Sequence, residues 1–180
     1  MTVSTGALKD HPKTDRIDDH GENDDQEQVL TFALESEVFA IKVIRVQEIL
    51  DIVPVTIVPN ADPFAPGIIN VRGNVVPLVD LRHRFGMAPK PPGTAGRTVV
   101  LDAVIDEETT RVALTVDAVR DVVPVETLGL TEIPGIGTRW NRDYVQGITR
   151  IDDQLTIVLD LDAVFNLDAD GSALQTRGDA

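Results

Sequence analysis

Three histidines are available for acid–base or metal chemistry, His11, His20 and His83, and only the last lies in a stretch that reads as folded. A serine or threonine nucleophile needs a base beside it, and no Ser-x-Gly context accompanies His83. Cysteine is absent, which removes thiolate chemistry and disulfides and leaves one ordered histidine, too little to hold zinc. "GTAGRT" (93–98) has the look of a phosphate loop without its Gly-Lys-Ser/Thr ending, and reads as a linker. Among the carboxylates, Asp80 and Asp160 each precede a short helical run, where capping accounts for them, and Asp152-Asp153 suits a polar hairpin tip. In "NLDADGSALQTR" (166–177), Asn166, Asp168, Asp170, Gly171 and Ser172 fall at ligand and turn positions of a calcium loop. Its twelfth position is Arg177, a cation where the metal needs a bidentate Glu, and a frayed acidic terminus is the better reading. Neither an enzyme nor a cofactor site emerges.

The residue that asks for an explanation is Arg72. It occupies, with Gly73, the tip of "NVRGNVVPLVDLR" (70–82), between two Val-rich runs. One reading is purely structural: Gly73 supplies the positive φ of a tight hairpin and Arg72 solvates its tip. The other is docking. Arg72, Arg82 and Arg84 stand against a single Asp80 in residues 72–84 of a chain whose net charge is −14, and Arg presents a planar fork to a partner's carboxylates.

The elements that must position this tip are β-like. "VLTFAL", "TIVP", "GIINV", "VVPLVDL", "TVVLDAVI", "RVALTV" and "LTIVLDL" alternate with Gly, Pro, Asp and Asn clusters. Helical spacing is confined to short pieces, among them "VIRVQEIL" (43–50), which places Val43, Val46, Ile49 and Leu50 near one face. Residues 1–27 hold eight acidic and three basic residues and few aliphatics, the composition of a disordered acidic tail. Residues 167–180 read as a loose terminus, and folded material as 28–166. The strong net negative charge disfavours nucleic acid and anionic membranes as partners, and no uncharged run approaches the length of a membrane span.

The folded part repeats itself. Residues 67–85, "GIINVRGNVVPLVDLRHRF", lie on 147–165, "GITRIDDQLTIVLDLDAVF", and "AIKVIRVQEIL" (40–50) lies on "ALTVDAVRDVV" (113–123). The difference between the two offsets implies extra loop in the second copy, within "IPGIGTRWNRDY". Each copy, about 28–90 and about 97–166, has the size of a small closed β-barrel, joined by "PPGTAG" (91–96). At the hairpin tip the second copy carries Asp152-Asp153 in place of Arg72-Gly73, so the barrel itself does not require the arginine.

"VFAIKVIRVQEIL…PNADPFAPGIINVRGNVVPLVDLRHRFG" resembles the CheW family of chemosensory adaptors. The shared pattern runs through Val46-Gln47-Glu48-Ile49, Asn70-Val71-Arg72-Gly73, Pro77-Leu78-Val79-Asp80-Leu81-Arg82 and Phe85-Gly86. "RVALTVDAVRDVV", "YVQGI" and "IVLDLDAVF" carry it more weakly through the second copy. The resemblance implies an all-β fold of two intertwined five-stranded SH3-like barrels with short helical turns, elements being exchanged between them. It implies a cytoplasmic, non-enzymatic scaffold, recruited to membrane-associated arrays, that couples methyl-accepting chemoreceptor tips to the regulatory domain of the histidine kinase CheA. Val46, Glu48 and Ile49 would lie beside the groove between the barrels, Arg72 and Gly73 on the adjacent hairpin, and Val99 at a further receptor-side position. A pilus-motility or other chemosensory-type pathway is the alternative setting, with a calcium-binding regulatory domain or an unrecognised enzyme behind it. Two expectations concern single side chains. Glu48 pairs with Arg72 and holds the hairpin in its docking pose, and Trp140 or Tyr144 either packs the inserted loop or anchors a partner.

Overall fold

The computed structural model describes residues 27–94, 96–125, 129–133 and 141–166. The tail through residue 26, the terminus from 167, Trp140 and all of the calcium-like loop beyond Asn166 lie outside them. Among the described residues eleven strands make two sheets. The first half contributes β1 (Gln28–Leu34), β2 (Glu37–Lys42), β3 (Val46–Leu50), β4 (Thr56–Ile57), β5 (Gly67–Val71), β6 (Asn74–Val79) and helix α1 (Leu81–Arg84). The second contributes β7 (Arg97–Ile105), β8 (Glu108–Val116), β9 (Ala118–Pro124), β10 (Val145–Ile151), β11 (Gln154–Leu159) and helix α2 (Leu161–Asn166).

Neither half makes a sheet alone. One sheet runs β10-β11-β2-β1-β9 and the other β3-β7-β8-β6-β5-β4. Replacing β1, β2, β3, β5 and β6 by β7, β8, β9, β10 and β11 turns one order into the other, so the repeat is a two-fold arrangement with exchanged strands. The crossing points are parallel pairs at equivalent positions: Leu78 opposite Ala113, and Val158 opposite Ala40. Aromatic rings follow the same exchange. Phe64 packs on Phe165 at 5.6 Å between centroids, and Tyr144 on Phe85 at 6.0 Å, each pair spanning both halves. The backbones beside them also match, with Asp80 N–H donating to Phe64 C=O and Asp160 N–H to Tyr144 C=O.

These strands are Val- and Ile-rich because β-branched side chains suit a half-buried pleat. β5 shows the period of two, burying Gly67, Ile69 and Val71 while Asn70 faces out. The main core lies at the seam, where Phe32, Phe39, Leu81, Leu101, Leu114 and Val164 lose all or nearly all contact with solvent. Tyr144 is also fully buried there, which settles its packing role. Asp80 caps α1 through Arg82 N–H, and Asp160 accepts from Ala163 N–H in α2, as the sequence led one to expect. The all-β class, the two intertwined units and the short helical turns stand, with two departures. Among the described residues neither sheet closes its hydrogen-bonded ladder, because β4 has two residues and the equivalent contact at β10 is a single bridge, Thr131 to Ile148. The run 43–50 is not helical beyond one 3-10 turn (Val43–Arg45); from Val46 it is strand β3, pairing with β7.

Candidate functional site

The β5–β6 turn has two central residues, Arg72 and Gly73, both with positive φ (50° and 88°). Positive φ at both positions is the mark of a type I′ turn, one of the two-residue turns that match the twist of the flanking strands. Asn70 holds the turn by accepting from Gly73 N–H at 2.8 Å, a role its side chain suits and one that sequence reading did not assign. The second-copy turn has the same shape, with Asp152 and Asp153 at φ 48° and 62°.

Glu48 reaches this tip from β3. A bulge between Val46 and Glu48 interrupts the pairing with β7, and a bulge re-aims the side chains that follow it. The expected pair is present: Arg72 Nε donates to Glu48 Oε2 at 3.0 Å and Oε1 at 3.3 Å, and Arg72 Nη2 lies 3.0 Å from Oε2. The carboxylate is 22% exposed and the arginine 80%. An ion pair so exposed adds at most about 0.5–1 kcal/mol. What it does is positional: the guanidinium is oriented, and most of it still faces water. At the equivalent places the second copy has Asp121 and Asp152, two acids, so only the first tip is cationic.

Val46 and Ile49 are half-buried and pack against the main core. Val99 needs correction as a contact residue. It pairs with Ile49 across β3 and β7 and is fully buried, so it has no surface to offer. Arg82 also leaves the cluster of arginines read in residues 72–84. Arg82 is 1% exposed, donating from Nη1 to Asp80 at 3.1 Å and from Nη2 to Asp117 at 2.7 Å. Arg84 lies over the Phe64 ring at 4.3 Å. Two exposed aliphatics escaped sequence reading: Ile44, 81% exposed, two residues before Val46, and Val75, 68% exposed, two residues after Gly73. Their only signal was position, since an isolated apolar residue at the surface is ordinary.

Asp117 is an ion-pair centre, with Arg82 Nη2 and Lys90 Nζ each 2.7 Å from its Oδ1. Burial pushes its carboxyl up, but the Glu35 N–H, the Lys90 ammonium and the Arg82 guanidinium together outweigh that push and hold it below the ordinary carboxylate value. Among the described residues no group of three or more His, Asp or Glu side chains is placed to hold a metal. Asn166, first residue of the calcium-like run, is already engaged: its side-chain oxygen accepts from Asp106 N–H, and its nitrogen donates to Val104 and Asp162 carbonyls. No helix among the described residues is long and apolar enough to cross a membrane.

A family model described as a CheW-like domain matches residues 28–169. The chain is 31% identical over 144 residues to a probable chemotaxis protein CheW of Rhizobium etli, covering 80% of this chain and 90% of that protein. It is 30% identical over 138 residues to chemotaxis protein CheW of Rhizobium meliloti, covering 77% and 86%. The crystal structure of scaffolding protein TtCheW from Thermoanaerobacter tengcongensis superposes with a TM-score of 0.69 at 26% identity, over 86% of this chain and 96% of that one.

Proposed function

The chain belongs to the CheW family and serves as a chemotaxis scaffold, and from that premise we propose that it grips two partners at once, a chemoreceptor tip and the regulatory domain of a CheA-type kinase. The receptor side is formed by Val46, Glu48 and Ile49 on β3 and by Arg72 and Gly73 on the β5–β6 turn, with Val99 supporting Ile49 from behind. The protein works in the cytoplasm at the membrane-associated array, and it carries the coupling without transforming either partner.

One observation supports this reading above the others. Glu48 fixes an arginine that remains four-fifths exposed, on a hairpin whose counterpart in the same molecule is acidic. A fold requirement would have placed the same residue at both tips. Arg72→Glu should therefore fold with an unchanged circular dichroism spectrum and fail to bring kinase and receptor down together. Equal recovery of both partners by the variant would refute the assignment.

A further inference from the structure

Two ion pairs occupy corresponding corners of the two-fold arrangement with their charges exchanged, Arg45 and Asp117 standing one residue out of register in the matched loops. At one corner, Arg82 of α1 donates to Asp117, between β8 and β9, at 2.7 Å, and Lys90 donates to the same oxygen at 2.7 Å. At the other, Asp162 of α2, at the position equivalent to Arg82, accepts from Arg45, between β2 and β3, at 3.0 and 3.2 Å. Across the two seams the first half thus supplies both guanidinium groups and the second half both of the carboxylates that face them, Arg82 being held in addition by Asp80 of its own half. Whole-half charge leans the same way. Residues 28–90 hold six basic and six acidic residues, and residues 97–166 hold six basic and thirteen acidic.

A molecule whose halves complete each other's sheets has a competing assembly. Because Ala40 faces Val158 in the register in which Ala113 faces Leu78, like halves of two copies offer each other matching strands. In that assembly Arg45 would meet Arg82 and Asp117 would meet Asp162. We propose that the seam charges form a recognition code: they admit the opposite half and reject the like half of a second copy of this chain. The Arg45–Asp162 pair, 30% and 48% exposed, adds little stability by itself; its effect is to penalise the wrong partner.

The test is the full chain carrying Arg45→Asp together with Asp162→Arg. The pair survives within one copy, but each half now carries one cation and one anion at the seams, so like halves match as well as unlike ones. Both proteins are refolded from denaturant at the same high concentration and sized by chromatography with light scattering. The variant should give a dimer fraction at least about tenfold that of the parent, since like-charge contacts are what it removes. Dimers that exchange unlike halves keep every pair in both proteins and contribute equally, so the excess reports like-half pairing. A dimer fraction equal to the parent's overturns the proposal. If that variant does not fold, Arg45→Glu with Asp162→Lys carries the same charges on other side chains and is read in the same way. Failure of both to fold also overturns it, because the orientation of the pair would then be a requirement of the monomer.

Discussion

Arg72 and Arg82 are ten residues apart and show how little residue type says about environment. Arg72 stands 80% exposed on a turn, while Arg82 is among the largest fully buried side chains of the molecule. Arg72→Ala should cost under about 1 kcal/mol. Arg82→Ala leaves Asp80 and Asp117 without their guanidinium and a void at the seam, and should cost about 3–5 kcal/mol in denaturant titration. Asp117 gives this centre a pH dependence. Its carboxyl is held below its ordinary value, so the unfolded chain binds the proton more readily, and stability falls as pH drops through and below the ordinary carboxylate range. Asp117→Asn should lower stability at neutral pH and flatten that acid limb; an equally steep limb in the variant would contradict the assignment. At this scale the sequence was legible for Glu48–Arg72 and for the two capping aspartates, whose partners lie at short range or on a recognisable turn. It misled for Arg82 and Val99. Charged side chains read as surface residues by default, and only the tertiary seam brings Asp117 to Arg82.

The hairpins are the elements that carry the site, and their turns were readable from Arg72-Gly73 and Asp152-Asp153 because paired polar or glycine residues mark positive φ. The run 43–50 was not. Its apolar residues at 43, 46, 49 and 50 fit a helical face, yet a 3-10 turn followed by a bulged strand buries the same side chains. Gly67 opens β5, Gly147 holds the equivalent place as the third residue of β10, and the two test how tightly a neighbouring segment crosses each strand. A Cβ at Gly67 would lie 2.6 Å from Thr56 O and 2.9 Å from Val55 Cγ1, whereas at Gly147 its nearest neighbour is Thr131 O at 3.2 Å. Gly67→Ala should therefore cost about 2 kcal/mol, a fall in Tm of roughly 4–8 °C, and Gly147→Ala about half as much or less. The reverse order would show that the two crossings are not what these glycines serve.

At the scale of the molecule, the repeat was visible as two matched pairs of runs whose offsets differ by a loop insertion, and the structure adds what a one-dimensional pattern cannot express: the halves trade strands. β6 pairs with β8 and β11 with β2, so the main core is built by both copies and the Arg72 tip rests on a body to which each contributes. A scaffold that holds two partners, as proposed, gains from that arrangement, because the parts cannot hinge independently without breaking the parallel crossings. The central claim is that such a body links receptor to kinase through a cationic tip that Glu48 orients. The most direct measurement is the autophosphorylation rate of a CheA-type kinase on receptor-containing membranes, with no scaffold, with this chain and with its Arg72→Glu variant. The parent chain should raise the rate many-fold over kinase and receptor alone, and the variant should leave it at that baseline. Equal activation by the variant, or none by the parent, would contradict the account.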